Sequence, residues 1–592
     1  MKCGIEIHQR ICSHKLFCDC DATGSKGEAG QRVNRYLQVV AGETGEVDRA
    51  VSFEALRSNK FIYESYANTS CLIETDSEPP INVNQDALSV ALSVARHLKM
   101  FVPDELHVMR KTVIDGSNTG GFQRTMVVGL GTEQSVINTS EGPVRVKDLE
   151  LEEESARIIE RRVGGTTYDL SGLGVPLIEV GTHPDITSPQ QAYETALAIG
   201  ELLRLTGHAQ RGIGTIRQDV NVSVDGGARV EIKGFQDIKN LKQLVDLEVK
   251  RQESLIALKQ ELTGYKLRTV NVTELFGQSK FFKGKKLILG LVLPSFNGLF
   301  KRKLNELKTL GSEVADYARA YGVKGLIHSD EDLSKYGLVD EFILARNELG
   351  LNNNDLLLVI AGDGLEVERS IKAVADRVYL LNDYVPEETR VAGPDGVSVY
   401  ARPLPGGERM YPETDVPLIT PLKNSPVIES KAKRVKELSS YGLTDELVNE
   451  LVLSPRLVLF RSLVNRFKKI KPLLIARLLV NIPKDVKKRF GFDVSVLDDV
   501  KFIDLLSAIN DSSLIIESAP LVLRDLCKSG LNVSDIIGSY RQLSNAELRK
   551  IVNAIIKSHP NLSVKQYMGL VMIKARGRAI GSRINDLLLR LV

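Results

Sequence analysis

The sequence predicts an α+β protein of several domains, and three observations support this fold class. The chain has 592 residues, which is too long for one core and favours three to five domains. The first 265 residues mix short stretches of alternating apolar and polar residues with amphipathic helices. From Ser425 onward the apolar positions recur almost entirely at helical spacing. A domain built on an antiparallel sheet should therefore precede an all-helical region.

In four short segments apolar and polar residues alternate, as they do in half-buried strands. These segments are residues 4–10 (GIEIHQR), 175–180 (VPLIEV), 216–224 (IRQDVNVSV) and 229–233 (RVEIK). Successive side chains of a strand point to opposite faces, so the apolar and the polar residues of each segment separate. The polar sides carry Glu6, His8, Glu179, Arg217, Asp219, Asn221, Ser223, Glu231 and Lys233.

These polar faces have two interpretations. The simpler one is the solvated face of an antiparallel sheet, which usually carries Lys, Glu and Thr. The favoured one is the floor of a polar active site, because His, Asp, Asn and Arg cluster here with carboxylates at the strand centres. Carboxylates with one imidazole suit a hard cation such as Mg²⁺ held together with substrate phosphates. Arg and Lys beside such a cation are typical of phosphoryl transfer.

The remaining elements are readable from caps and periodicity. Ser188 caps a helix that begins with Pro189 and ends before Gly207, and a second helix covers 237–261. Residues 270–400 read as a separate inserted block. It opens with a basic, glycine-punctuated stretch (FFKGKKLILG), and its expected elements are helix 315–321, strand 355–361 and helix 366–378. The Pro- and Gly-rich segment 401–419 cannot form one regular element.

Composition excludes several classes of protein. No apolar run approaches the roughly 20 residues that a membrane span needs, and the amino terminus does not resemble a signal peptide. Six cysteines, five of them within the first 71 residues, do not form the framework of a disulfide-stabilised secreted domain. We therefore expect a cytoplasmic protein with no membrane contact.

The net charge of +3 hides an asymmetry along the chain. Basic residues exceed acidic ones by 10 over 431–490 and by 8 over 541–592, whereas residues 1–430 are acidic overall. A basic carboxy-terminal third suggests a polyanionic partner, because Lys and Arg that neutralise phosphates release counterions. The alternative is that these charges are only the solvated faces of helices.

Two further segments have open interpretations. Residues 110–124 (RKTVIDGSNTGGFQR) could form a loop whose N–H groups cradle an anion, but a structural turn is equally consistent. The acidic run 152–154 is more typical of a helix amino terminus or a surface patch than of a set of metal ligands.

Cys18, Cys20 and Cys71 could bind zinc if a fourth ligand were present. His14 could complete the set, and Glu74 stands where the partner of Cys71 in a CxxC pair would be. Reduced thiols are the favoured interpretation, and zinc is the less favoured one.

Several of these segments resemble the B/E subunit family of tRNA-dependent amidotransferases. The matching segments are GIEIHQR, RKTVIDGSNTGGFQRT, GVPLIEVGTHPDI, IRQDVNVSV with RVEIKG, and RMYPETDVPLI. The segment DGSNTGGFQRT and the presence of an insertion before RMYPETDVP resemble the archaeal E branch of the family rather than the bacterial B subunits. The carboxy-terminal segment MGLVMIKARGRAIGSRINDLLL resembles the tail domain of the family.

The resemblance divides the chain into four parts. A cradle domain with the active site would cover 1–268 and 400–424. An inserted α/β domain would cover 269–399, and it resembles the insertion of bacterial-type aspartyl-tRNA synthetases around YGVKGLIH and DLLLVIAGDGLEVE. A helical domain at 425–540 and a basic helical tail at 541–592 would follow.

The resemblance also implies a reaction, that of a ligase forming a C–N bond. ATP phosphorylates the γ-carboxylate of glutamate mischarged on tRNA(Gln), and ammonia then displaces phosphate to give Gln-tRNA(Gln). We find no glutaminase motif in the chain, so ammonia would come from an asparaginase-like D subunit, in a heterotetramer of two D and two E chains.

The family's motifs assign roles to residues of this sequence. The metal-binding positions fall on His8, Glu179 and one acid of the 152–154 run, of which Glu152 is the best spaced. The catalytic set would be Glu6, His8, Lys111, Asp219 and Lys233, and Arg217, Asn221 and Glu231 would contact ATP. Lys574, Arg576, Arg578 and Arg583 in the tail would bind tRNA, with strong salt dependence.

Two other functions remain open. A non-catalytic scaffold protein that only binds tRNA would require the acidic constellation to be broken, but Glu6, His8, Glu179 and Asp219 are all present. An ATP-dependent ligase acting on a small carboxylate would not need the basic tail.

Overall fold

The computed structural model describes residues 1–22, 27–42, 45–55, 60–162, 165–262, 264–393, 395–412, 414–422 and 425–592. The chain forms two compact units, residues 1–428 and 429–592.

The first unit combines strands and helices. Its strands are β1 (Lys2–Arg10), β2 (Ala29–Arg35), β3 (Lys60–Tyr66), β4 (Val108–Thr112), β5 (Phe122–Leu130), β6 (Val136–Thr139), β7 (Gly142–Glu153), β8 (Arg157–Arg162), β9 (Gly165–Asp169), β10 (Pro176–Thr182), β11 (Ile216–Ser223), β12 (Val230–Phe235), β13 (Arg268–Asn271), β14 (Leu287–Leu293), β15 (Ile327–His328), β16 (Leu356–Gly362), β17 (Glu388–Ala392), β18 (Ser398–Pro403) and β19 (Met410–Tyr411). Its helices are α1 (Arg49–Ala55), α2 (Gln85–His97), α3 (Pro189–Leu205), α4 (Leu241–Glu261), α5 (Thr273–Phe276), α6 (Leu310–Ala320), α7 (Val339–Glu348) and α8 (Leu365–Leu380).

The main sheet has the strand order β18-β17-β12-β11-β1-β10-β7-β5-β4-β19, and β6 pairs with β7. Within this order β12 and β17 are parallel neighbours and the other pairs are antiparallel. The apolar side chains that alternate with the predicted polar ones are buried, for example Ile5, Ile7, Val220 and Val222. Burial of this apolar face fixes the strand register, because a shift by one residue would reverse every side chain.

Two smaller sheets complete the first unit. One has the order β2-β3-β9-β8, and the other has the order β13-β14-β16-β15 and lies within the predicted insertion. The sheet of the insertion has apolar clusters around Leu291 and Leu358 and around Ile288 and Leu357. Strands β17 and β18, at the carboxy-terminal end of the predicted insertion, belong to the main sheet instead.

The helix predicted after Ser188 forms as its cap indicates. Ser188 Oγ accepts the N–H of Gln191 at 3.0 Å, Pro189 is the first helical residue, and Gly207 has a φ of +83° beyond the end of α3. Gln191 does not close a capping box with Ser188, because its side-chain oxygen accepts the N–H of Thr187. The predicted helix at 237–261 begins with a short 3₁₀ turn, Ile238–Asn240, before α4.

The second unit is helical, as predicted. Its helices are α9 (Lys431–Ser440), α10 (Asp445–Leu451), α11 (Leu457–Arg466), α12 (Pro472–Leu479), α13 (Asn481–Phe490), α14 (Asp499–Asn510), α15 (Ala519–Ser529), α16 (Val533–Tyr540), α17 (Asn545–Ser558), α18 (Val564–Ala575) and α19 (Gly581–Leu591). One apolar core joins residues between 438 and 533, and a smaller one joins residues between 543 and 588. Throughout the described ranges, no helix has the length and apolar character needed to cross a membrane.

Candidate active site on the main sheet

The four strands predicted from alternation lie side by side in the main sheet, in the order β12-β11-β1-β10. His8 on β1 lies between Arg217 of β11 and Glu179 of β10. Glu6 pairs with Asp219, and Asn221 pairs with Glu231. Strand pairing therefore gathers the separate polar sides into one continuous polar face.

The first group on this face contains His8, Glu152 and Glu179. His8 Nε2 lies 3.0 Å from Glu179 Oε2 and 3.9 Å from Glu152 Oε1, and all three side chains are buried. Their ligand atoms lie within 4.8 Å of one another. One imidazole and two carboxylates at this spacing fit a divalent cation with mainly oxygen ligands.

Without a bound cation, the charges in this group hold one another in their ionised forms, so a metal ion that His8 binds would have to displace its proton. Burial lowers the pKa of His8, but the neighbouring Glu179 outweighs it and raises that pKa to about 9. Burial raises the pKa of Glu179, but His8 and then Lys111 outweigh this effect and hold it well below its usual range. Lys111 Nζ lies 3.3 Å from Glu152 Oε2, and Thr125 donates to the same oxygen.

A second group contains Glu6, Asp219 and Glu231, whose carboxylate oxygens also lie within 4.8 Å of one another. Lys233 Nζ lies 2.8 Å from both Asp219 and Glu231. Burial raises the pKa of Asp219, but Lys233 outweighs it and lowers that pKa to about 2. Asn221 donates to Glu6 Oε1 at 3.2 Å. A lysine thus occupies the place where a cation would otherwise balance these acids.

Arg217 has a different environment from the one predicted. Its guanidinium donates two hydrogen bonds to Glu154, at 2.6 and 3.0 Å, and Arg10 donates to the same carboxylate. Burial raises the pKa of Glu154, but Arg217 and Arg10 outweigh it and lower that pKa to about 2. A phosphate that bound Arg217 would have to compete with this bidentate pair.

The expectation for the acidic run 152–154 is wrong. These residues lie in and directly after β7 and are buried, whereas a helix terminus or a surface patch would leave them exposed. Glu152 and Glu154 face the site, and Glu153 accepts hydrogen bonds from Arg124. The strand hydrogen bonds of β7 to both β10 and β5 keep this run within the sheet.

Sequence reasoning missed Glu150, which pairs with Glu179 across β7 and β10. Burial raises the pKa of Glu150 to about 8, and the Glu179 charge adds to the effect. Burial and the same neighbour raise the pKa of Glu6 to about 7. The signal was present in the sequence, because LELEE at residues 149–153 alternates as the four recognised strands do.

Residues 110–124 begin in β4 and end in β5, with a structured loop between them. The phenol of Tyr63 donates to the carbonyl of Gly116, and Thr119 donates to the carbonyl of Glu74. Arg124 pairs with Glu153 and with Asp415. These contacts fix the loop against the sheet.

The three cysteines lie together with Glu74, and all four potential ligand atoms are within 4.8 Å of one another. Cys18 Sγ donates to Glu74 Oε1 at 2.8 Å, and the backbone N–H of Cys71 donates to Glu74 Oε2 at 2.7 Å. A hydrogen bond from Cys18 lowers the pKa of Cys71 to about 7. Three sulfurs and one carboxylate are the four donors that a tetrahedral zinc site needs. Among the described residues, His14 is not part of this group.

The predicted tRNA-binding residues of the tail differ in their surroundings. Lys574 and Arg576 are exposed, whereas Arg578 and Arg583 are half-buried. Arg583 donates to the carbonyl of Leu543 at 2.9 Å and to the side chain of Asn545 at 2.8 Å. Arg578 contacts the carbonyl of Arg541 at 3.4 Å.

Comparison with known proteins covers almost the whole chain. Residues 1–425 match the family described as the GatB/GatE catalytic domain, and residues 458–592 match the GatB domain. The chain is 40% identical to the E subunit of the glutamyl-tRNA(Gln) amidotransferase of Methanocaldococcus jannaschii, over 99% of this chain and 98% of that protein. It is 39% identical to the protein of the same name from Saccharolobus solfataricus, over 99% and 97% of the two chains.

A sheet whose polar face gathers buried carboxylates, an imidazole and lysines defines a class of multidomain proteins with a candidate catalytic site. Within that class, this chain belongs to the GatB/GatE family.

Proposed function

We propose that this protein is the component of a tRNA-dependent amidotransferase that converts glutamate mischarged on tRNA(Gln) to glutamine, with ATP. The observation that carries the proposal is the convergence of His8, Glu152 and Glu179 from three neighbouring strands, in the part of the chain that matches the family's catalytic domain. The full-length similarity to the archaeal E subunits supports the same substrate.

The proposed reaction has two steps. An oxygen of the glutamyl γ-carboxylate attacks the γ-phosphorus of ATP, the bond to the bridging β-phosphate oxygen breaks, and ADP leaves. Ammonia then attacks the γ-carbonyl carbon, the bond to the phosphate oxygen breaks, and phosphate leaves while the nitrogen loses a proton. The products are Gln-tRNA(Gln), ADP and phosphate.

The metal ligands would be His8, Glu152 and Glu179, whose donor atoms fit Mg²⁺. When bound, Mg²⁺ would neutralise charge on the phosphates of ATP. Lys111, beside Glu152, would orient a phosphate oxygen at the edge of this group. Lys233 would hold Asp219 and Glu231 in their charged forms. Arg217, which is paired with Glu154, and Asn221, which donates to Glu6, would orient these two carboxylates beside the nucleotide. The buried floor would limit access of water to the acyl phosphate.

The proposed partners follow from the chemistry. An asparaginase-like D subunit would supply ammonia, in an assembly of two D and two E chains that native mass spectrometry would measure. In the tail, exposed Lys574 and Arg576 would contact tRNA phosphates. Arg578 and Arg583 are hydrogen-bonded to backbone carbonyls within the tail, and their positive charge would attract the same tRNA.

We also propose zinc as the occupant of the cysteine group, with Glu74 as the fourth ligand beside Cys18, Cys20 and Cys71. Metal analysis of the purified protein should find about one zinc per chain, and Glu74→Ala should lower that content. A zinc-free protein that is equally stable would contradict the assignment.

Residues 269–399 are predicted as the insertion akin to that of bacterial-type aspartyl-tRNA synthetases, between the cradle parts 1–268 and 400–424. Because β17 and β18 pair in the main sheet, the insertion would end before β17 and these strands would belong to the cradle. The separate sheet β13-β14-β16-β15 supports an independent unit within this range. The two apolar cores of the second unit support a helical domain at 425–540 and a tail at 541–592.

The decisive experiment supplies mischarged Glu-tRNA(Gln), ATP, Mg²⁺ and free ammonium to the full chain without a partner. Formation of Gln-tRNA(Gln) is the expected result. Glu179→Gln should abolish it and keep tRNA binding, whereas Glu253→Gln, on the exposed side of α4, should retain activity. Full activity of the Glu179 variant would contradict the site assignment. Retained tRNA binding with no product from the original protein would favour a scaffold role, and amidation of free glutamate would favour the small-carboxylate ligase.

A further inference from the structure

A groove of about 1240 Å³ lies away from the polar face of the main sheet. The lining of this groove includes the segment after α6, the end of β16, the segment after α5 and part of the 3₁₀ turn Leu333–Tyr336. Residues of α1 and β8 also contribute to the lining. The basic stretch FFKGKK, singled out in the sequence, provides Phe281, Phe282 and Lys285 to this groove.

The lining of the groove is predominantly basic. Its cationic side chains are Arg161, Lys285, Arg319, Lys324 and Arg369, and its acidic ones are Asp363 and Glu366. All five cationic residues are exposed. Glu366 accepts the backbone N–H of Asp363 at 2.6 Å, and Arg319 pairs with Asp316 at 2.9 Å, so one acidic and one basic residue of the lining are already partnered within the protein. The excess of positive charge favours an anionic occupant.

Aromatic rings also line the groove. Phe281 is 48% exposed and packs edge-to-face against Tyr336, with ring centroids 5.4 Å apart. Phe282 is buried beside it and anchors the segment. Phe53 and Tyr321, which also line the groove, form a second edge-to-face pair, with ring centroids 5.1 Å apart. An exposed phenylalanine held by a buried neighbour is a rigid platform on which a planar ring can stack.

We infer that this groove is an RNA-binding surface that contacts the tRNA substrate at a site separate from the catalytic face and from the basic tail. The inference rests on the proposed function for the identity of the RNA. Alternating cations and aromatic rings recognise RNA through its phosphates and through stacking on unpaired bases. The groove exceeds the roughly 300–1000 Å³ that small-molecule pockets occupy, which favours a polymer over a free nucleotide.

The first test measures the affinity of the full chain for tRNA as a function of salt. Lys285→Glu combined with Lys324→Glu should weaken binding about tenfold or more and reduce the slope of log affinity against log salt by about one or more. Lys266→Glu is the matched control, since Lys266 is an exposed lysine just before β13 that does not line the groove. The control should bind within about twofold of the original protein.

The second test concerns the aromatic platform. Phe281→Ala should weaken tRNA binding about tenfold, and Phe281→Tyr should keep it, because a phenol ring still stacks. Unchanged thermal unfolding of each variant separates lost contact from lost folding. Steady-state amidation should show a raised KM for Glu-tRNA(Gln) with kcat unchanged.

A third measurement identifies the occupant directly. A photoreactive benzoylphenylalanine at position 281 should crosslink to tRNA, and a crosslink to a protein partner instead would overturn the inference. It would also be overturned if the double lysine variant matched Lys266→Glu in both affinity and salt slope. If the proposed function itself were wrong, the original protein would form no Gln-tRNA(Gln). That result differs from the two outcomes that would overturn only the inference about the groove.

Discussion

Two buried clusters of charge in the first unit differ in how their charges balance. The acidic face is defined by the carboxylates of Glu6, Glu150, Glu152, Glu179, Asp219 and Glu231. Among the described residues, its ion pairs within 4.0 Å are formed by His8, Lys111 and Lys233. The balanced cluster joins α4, α6, α8 and β17. It contains Arg251, Lys308, Arg377 and Arg390 against Glu248, Glu313, Asp316 and Glu388.

This difference in charge balance changes the pKa of the carboxylates in the two clusters. In the balanced cluster burial raises the pKa of Glu313, but Arg390 and Arg251 outweigh it and hold that pKa far below its usual value. On the acidic face burial raises the pKa of Glu150 to about 8, and the charge of Glu179 reinforces the effect. Burial of charge alone therefore does not mark a functional site. An uncompensated excess of one sign does, because it favours binding of a counterion.

The largest effect is expected from breaking the balanced cluster. Glu313→Gln should lower the free energy of unfolding by about 3–5 kcal/mol, since it removes a carboxylate that four buried cations share and leaves the cluster with an excess of buried positive charge. Urea unfolding followed by circular dichroism would measure this loss. Glu306→Gln, an exposed change whose partner Lys250 keeps Asp246, should leave the unfolding midpoint unchanged. Equal midpoints for the two variants would show that the cluster is not structural.

The next largest effect is expected from Mg²⁺, and it distinguishes the group of His8, Glu152 and Glu179 from the group of Glu6, Asp219 and Glu231. Saturating Mg²⁺ should raise the unfolding temperature of the original protein, with about 2.7 kcal/mol of stabilisation at 100 times the dissociation constant. Glu179→Gln should lose this stabilisation, and Glu231→Gln should keep most of it. The reverse pattern would place the cation between Glu6, Asp219 and Glu231.

A smaller effect should come from Glu150. The pKa of its carboxyl in the folded protein, about 8, lies above the ordinary value of 4.5. Both states are protonated at low pH, and as the pH rises the unfolded chain ionises first, so folding loses stability between about 4.5 and 8. Glu150→Gln removes this loss. In the presence of a chelator it should stabilise the protein by about 1–2 kcal/mol at pH 8.5 and by little at pH 4. A gain independent of pH would contradict this origin.

The smallest effects test the same principle in the tail. Arg583→Ala should lower the stability of this unit by about 1 kcal/mol, because its hydrogen bonds to Leu543 and Asn545 are lost. Lys574→Ala with Arg576→Ala should leave stability unchanged and weaken tRNA binding several-fold, since both side chains are exposed. The opposite result would be an Arg583 variant that folds normally and loses tRNA affinity while the Lys574 and Arg576 double variant keeps it. This result would show that an arginine paired within the protein also binds RNA.

Much of the site was predictable because a strand has a period of two. Alternation placed Glu6 with His8 and Asp219 with Asn221 without any knowledge of the partners. The same rule applied to 149–153 would have found Glu150. It was missed because the run of consecutive acids that follows suggested an exposed segment.

Other features depended on residues far apart in the chain. Glu74 joins Cys18 and Cys20 only through the packing of separate loops, and no spacing rule connects them. The pair between Arg217 and Glu154 likewise needs β11 and the end of β7 to converge on β1 and β10. The groove beside Phe281 is lined by several separate segments between residues 53 and 369. The sequence alone therefore revealed only one of them, the basic stretch FFKGKK.

The sequence by itself determined which side chains share a face, where α3 begins and ends, and that the chain becomes helical and basic after 425. These properties depend on neighbours within a few residues, through the strand period, capping and helical spacing. The tertiary structure alone decided which strands are neighbours, and hence that Glu179 lies between His8 and Glu150. Strand order depends on burial of the whole apolar face, to which distant segments contribute together, and that burial cannot be read from any one of them.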